Sequence, residues 1–148
     1  MQAVKGKKGP VQLSCFYVGS ALCAIDINVV QEMNRQMEMT RVPQAPVHVL
    51  GIMNLRGRIV TIIDLGQKLG LTPSQKTDSS RIIIVNSQDE NIGLLVDKIT
   101  DVITVQWEDM ESTPSNIKGV RSKYFQGVFK ANKDLVAVLD VETVLTEE

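Results

Sequence analysis

Aromatic residues are scarce in this chain: Phe, Trp and Tyr make up 4% of its 148 residues. A surface that stacks successive bases needs more of them. An excess of one charge is missing too. Lys and Arg number 16 against 17 Asp and Glu, a net charge of −1, so no concentrated positive field is available for phosphates. No apolar run approaches the ~20 residues of a membrane helix. The N-terminus lacks the hydrophobic stretch of a signal peptide. Cys15 and Cys23 are the only cysteines. They are too few for a disulfide scaffold, have no zinc-ligand company, and read as buried free thiols in a reducing cytosol. His48 is the only histidine, which leaves no partner for a Ser-His-Asp set or a histidine metal site. The segment Gly51-Ile52-Met53-Asn54-Leu55-Arg56-Gly57 lacks the lysine and the strand-to-helix context of a phosphate loop. A catalytic reading, a metal and a cofactor are therefore not expected.

What is present is a repeat. Leu50-Gly51-Ile52 precedes Ile59-Val60-Thr61-Ile62-Ile63-Asp64-Leu65, and Gln126-Gly127-Val128 precedes Leu135-Val136-Ala137-Val138-Leu139-Asp140-Val141. Glycine and terminal aspartate stand 13 positions apart in both copies. Further upstream, Ile25 to Glu32 resembles Leu94 to Asp101 at an offset of 69, against 76 for the glycine pair. Seven extra residues must therefore fall between Asp101 and Gln126. Pro43 and Pro114 match within the connecting stretches at an offset of 71. Three matched segments in one order indicate a duplicated small β-module. The equal placement of Asp64 and Asp140 predicts a structural task, capping the turn after each strand, rather than a pair of catalytic acids.

The chain reads as about ten short strands with little helix. Val11–Val18 and Ala21–Ile27 form a hairpin across Gly19-Ser20, which sets Cys15 opposite Ala24 and Cys23 opposite Phe16. Val29–Met39 fits either a helix or a strand by spacing; its repeat partner, Ile99 to Trp107, is β-branched and favours strand at its start. Val47–Leu50 is expected to make at most a short helical turn. Arg56-Gly57-Arg58 is a tight turn needing positive φ at glycine. Arg81–Val85 is a β-branched run, a strand buried on both faces. Strands in groups of five suggest two small barrels, which remove open edges. The expected division is a first barrel over residues 11–80 and a second over 81–145, with 1–10 a solvated basic tail.

Asn54-Leu55-Arg56-Gly57 followed by Ile59-Val60-Thr61-Ile62-Ile63-Asp64-Leu65 closely resembles the signature of CheW-type chemotaxis coupling proteins. Ile25-Asp26-Ile27 with Val30-Gln31-Glu32, Gly93 to Asp97 with Asp101-Val102, and Val136 to Asp140 match in order, so the likeness runs from about Leu13 to Leu145 as one such domain over 1–148. The stretch Asn34 to Thr40, with methionines at 33, 37 and 39, departs from it. The resemblance implies an all-β fold of two five-stranded SH3-like barrels packed around a shared core. It implies a non-enzymatic cytoplasmic adaptor recruited to membrane receptor arrays. Its partners would be the chemotaxis histidine kinase regulatory domain and the chemoreceptor cytoplasmic domain, with no nucleic acid and no membrane insertion. By motif position Ile27, Val30 and Val102 would line a receptor groove between the barrels, with Glu32 and Arg56 as paired rim charges. The kinase would be met by the hairpin Ile52–Ile63, through Gly51, Asn54, Arg56 and Gly57. The rival reading is a small β-barrel module for another ligand, such as a single-stranded oligonucleotide.

Overall fold

The computed structural model describes residues 8–35, 38–131 and 133–146. Ten strands form two five-stranded sheets. The strands are β1 (Pro10–Val18), β2 (Ala21–Asp26), β3 (Val30–Asn34), β4 (Val49–Leu55), β5 (Arg58–Asp64), β6 (Arg81–Ser87), β7 (Glu90–Val96), β8 (Lys98–Gln106), β11 (Phe125–Ala131) and β12 (Asp134–Leu139). A two-stranded ribbon, β9 (Asn116–Ile117) with β10 (Val120–Arg121), stands apart. Helix is confined to α1 (Leu65–Lys68), α2 (Val141–Thr146) and three 3₁₀ turns. No helix among the described residues is long and apolar enough to cross a membrane.

The sheet orders are β11-β12-β2-β1-β8 and β3-β6-β7-β5-β4. This corrects the division at residues 80 and 81. Each sheet takes its first hairpin from the other half of the chain: β1-β2 joins β8, β11 and β12, while β6-β7 joins β3, β4 and β5. The register shows why both halves accept this. Ala137 and Val138 of β12 pair in parallel with Cys23 and Ala24 of β2. Thr61 and Ile62 of β5 pair in parallel with Ile92 and Gly93 of β7. These are the same contact at offsets 76 and 69, so the exchanged hairpins obey the repeat residue for residue. Gly19-Ser20 is the two-residue turn, with Cys15 opposite Ala24 and Cys23 opposite Phe16.

Three apolar clusters follow from strand alternation. Val11, Leu13, Cys15, Trp107, Phe129 and Val138 fill one barrel, where Trp107 and Phe129 lie tilted at 6.4 Å. Met53, Val60, Ile62, Ile82, Ile84 and Leu95 fill the other. The third and largest cluster, including Phe16, Ile25, Ile63, Ile83, Leu94, Phe125 and Leu139, joins the two sheets. Each such side chain contributes about 1.5–3 kcal/mol by leaving water. Arg81–Val85 is buried on both faces, its isoleucines alternating between the second and third clusters. The two thiols are free and buried on opposite faces of one sheet. Burial, then the charge of Asp101, pushes Cys15 up to about 11; burial, then Cys15, pushes Cys23 up to about 12.

One local expectation is narrowed and one changes. Residues 47–50 make no more than a turn: Val49 N donates to the Pro46 carbonyl at 2.9 Å, and Val49 enters β4 paired with Ile63. Of the basic tail, 1–7 lie outside the described residues, but Gly9 and Pro10 are held. Gly9 N donates to Glu108 at 2.8 Å, Trp107 N donates to the Gly9 carbonyl at 2.9 Å, and Pro10 pairs with Gln106.

Candidate functional site

The Arg56-Gly57 turn places its own side chains before any partner is considered. Leu55 pairs with Arg58, leaving two loop residues, both at positive φ (53° and 82°). Asn54 Oδ1 accepts from Gly57 N at 2.9 Å and locks the turn. That aims Arg56 at Glu32 on β3, where Nη1 and Nη2 meet the two carboxylate oxygens at 2.9 and 2.8 Å. Because β3 and β4 are the two edges of one sheet, the pair latches the seam of that barrel. Beneath it lies a depression of about 360 Å³ lined by Gln31, Leu55, Arg58, Val60, Ile84 and Asn91. The arginine side chain is 75% exposed, so the pair contributes at most about 1 kcal/mol to folding. Arg56→Glu should shift the melting temperature by no more than about 2–4 °C, read by thermal denaturation; a collapse of the fold would make Arg56 structural.

Gly51 has a different task. A side chain there would run into the Thr40 carbonyl oxygen, which is hydrogen-bonded to Ile52 N at 2.8 Å. Gly51, Asn54 and Gly57 therefore each have a local structural role, and Asn54 and Arg56 are the exposed members of the expected kinase set that carry a polar side chain.

The exposed large hydrophobics among the described residues fall into two groups. Val29, Met33 and Val102 belong to the edge strands β3 and β8 or the turn before β3. Met33 pairs with Ile83, and Val102 with Ser14. Opposed residues share a face, so both side chains lie on the side of the central cluster. On the same strands Val30 and Ile99 pack against that cluster. Each edge strand thus presents one rooted and one exposed apolar residue. Ile27, half-buried in the 3₁₀ turn Ile27–Val29, lines a neighbouring depression with Gln12 and Thr104, two residues from Val102. Sequence reasoning missed Met33; its signal was the repeat, which sets Met33 on Val102 at the offset of 69. The second group, Val42, Val47 and Ile59, lies on β5 and the loop leading into β4.

His48 is half-buried, its pKa lowered by burial and then by Lys68. Among the described residues no group of three or more His, Cys, Asp or Glu could hold a metal. Asp64 and Asp140 accept from Gln67 N and Thr143 N, each at 3.2 Å, as caps of α1 and α2.

The model of the CheW-like domain matches residues 12–148. This chain belongs to the CheW-like family. A probable chemotaxis protein CheW of Rhizobium etli is 30% identical over 146 residues, covering 98% of this chain and 94% of that protein. Chemotaxis protein CheW of Bacillus subtilis is 32% identical over 133 residues, covering 90% and 85%. The crystal structure of the scaffolding protein TtCheW from Thermoanaerobacter tengcongensis superposes with a TM-score of 0.83 at 27% identity, over 95% of this chain and 90% of that one. These relatives are chemotaxis and scaffolding proteins.

Proposed function

We propose that this chain couples chemoreceptor cytoplasmic tips to the regulatory domain of a chemotaxis histidine kinase, in the cytoplasm at receptor arrays, without catalysing a reaction. The observation that carries this reading is that the exposed large hydrophobics occur both on the edge strands β3 and β8 with the turn before β3 and on β5 with the loop before β4. An adaptor needs two docking surfaces, each apolar at its centre and polar at its rim. Receptor tips are helical hairpins, and the edge-strand patch of Val30, Met33, Ile99 and Val102, bordered by Glu32 and Arg56, suits a helix laid along it. Ile27 extends that patch. The β4-β5 hairpin with Ile59, Val42 and Val47 suits the kinase domain. Individual contacts of this size are weak, and an array multiplies them.

The test is retention of a receptor cytoplasmic fragment and of the kinase regulatory domain by the purified chain at low salt. Val102→Asp should weaken receptor retention at least about tenfold and spare the kinase, since a charge in a desolvated apolar contact costs more than 1.4 kcal/mol. Ile59→Asp should do the reverse. If the unaltered chain holds neither partner, coupling is wrong. If both variants lose both partners, the assignment of patches is wrong.

A further inference from the structure

One barrel carries a carboxylate where its repeat carries a leucine. Leu13 pairs with Asp26 and Ile82 with Leu95, the same contact at an offset of 69. Leu13 lies in the cluster of Trp107 and Phe129; Ile82 and Leu95 lie in that of Met53. Opposed residues share a face, so Asp26 stands on the inward face of its sheet. Leu95 is 1% exposed there, whereas Asp26 is half-buried. Beside Asp26 is a depression of about 490 Å³, whose walls include Val11, Gln12, Ile27, Thr104 and Trp107. Among the described residues no lysine or arginine lines it. Gln12 pairs with Thr104 across the rim; at the same offset the other barrel has Arg81 and Arg35 in the sequence. One end thus holds an acid without a base. Asp26 accepts from Asn28 N at 2.9 Å and has no ion pair among the described residues.

We propose that this depression binds an alkylammonium group of the kind a lysine side chain carries. The ammonium donates to the Asp26 carboxylate and the Thr104 hydroxyl, and its carbon chain lies against Val11, Ile27 and Trp107. An indole in the wall adds to the attraction where a cation lies over its face. An anion finds no base there, and a metal ion would find a single carboxylate where it needs several ligands. The volume suits a small ligand or one long side chain. Lys5 and Lys7 precede Pro10, which is part of the rim, so this chain and a separate amine are both sources of the group. Ile27 belongs to the receptor set, so an amine held here competes with a docked receptor. That consequence rests on the function proposed above; the site itself does not.

Trp107 is the only tryptophan, so its fluorescence reports on the depression. The full chain is titrated with pentylammonium chloride and, as an anion of similar length, with sodium pentanoate. The amine should give a saturable change and pentanoate none. Asp26→Asn, which keeps an acceptor for Asn28 N, should weaken the amine about tenfold. Thr104→Lys, which sets an ammonium at the rim, should abolish the response. A chain with Lys5→Gln and Lys7→Gln should bind the free amine more tightly if its own lysines occupy the place, and equally if the group comes from another molecule. An Asp26→Asn chain that titrates like the unaltered one, or a response to pentanoate equal to that of the amine, overturns the site. Receptor-fragment retention is then measured with and without the amine, which should reduce it. A chain that retains no fragment even without amine overturns the receptor reading and leaves the fluorescence result standing.

Discussion

Gly51→Ala is expected to cost about 2–4 kcal/mol and to lower the melting temperature by roughly 5–15 °C. The added methyl would meet the Thr40 carbonyl oxygen and come within 3.3 Å of Met39 Cγ. Thr40 has little freedom to retreat. Its N–H donates to the Ile52 carbonyl and its carbonyl accepts from Ile52 N, both at 2.8 Å. Relief of the clash breaks this bridge, which helps close the barrel seam at β4. Gly127→Ala should behave alike, because a methyl there would lie 2.7 Å from the Glu111 carbonyl and Glu111 is bridged to Val128 in the same way. Gly57→Ala is the control. Nothing lies within 4 Å of its added methyl, so only its positive φ is penalised, by about 1 kcal/mol. Thermal denaturation of the three variants decides the matter; a Gly51→Ala chain melting with the unaltered protein would refute the close approach.

Asp64→Ala should cost about 2–4 kcal/mol, and Asp140→Ala only about 1 kcal/mol. The sequence gives the two aspartates one pattern, but their surroundings differ. Asp64 is 1% exposed, and its carboxylate accepts from Gln67 N at 3.2 Å, Ser74 N at 2.8 Å and Ser74 Oγ at 3.0 Å. Alanine leaves two backbone donors and a hydroxyl without that acceptor where water is scarce, and each such loss carries a desolvation penalty. Asp140 is half-buried and, among the described residues, its carboxylate accepts from Thr143 N at the start of α2. Urea unfolding of both variants measures the difference; equal losses would show that the Ser74 contacts contribute nothing.

Much of this was legible beforehand because it rests on short-range rules. Gly19-Ser20 fixed the register that sets Cys15 opposite Ala24. The β-branched run at Arg81–Val85 could only be a buried strand. The ion pair of Glu32 with Arg56 was expected from motif position and is present. The seven extra residues fall where the offsets require. The bridges Thr40 to Ile52 and Glu111 to Val128 show offsets of 71 and 76, and the β9-β10 ribbon lies in the longer connection between them. The partition into barrels was not legible. Each hairpin offers the same pairing edge as its repeat, so β2 has equivalent partners in β5 and β12, and nothing local favours one. Exposure at Met33 was hidden for a related reason: a methionine in an alternating strand reads as core until the sheet is known to end there.

The residues alone determined that this chain carries two copies of one β-module, each ending in a capping aspartate, the first with an arginine-glycine turn between its last two strands. Those properties follow from alternation, turn chemistry and composition, which act over a few residues. Only the tertiary structure decided that the copies exchange hairpins and that β3 and β8 become edges of their sheets. Those depend on which equivalent surfaces meet in space, a choice between near-identical pairings that packing of the whole central cluster makes and no local segment can.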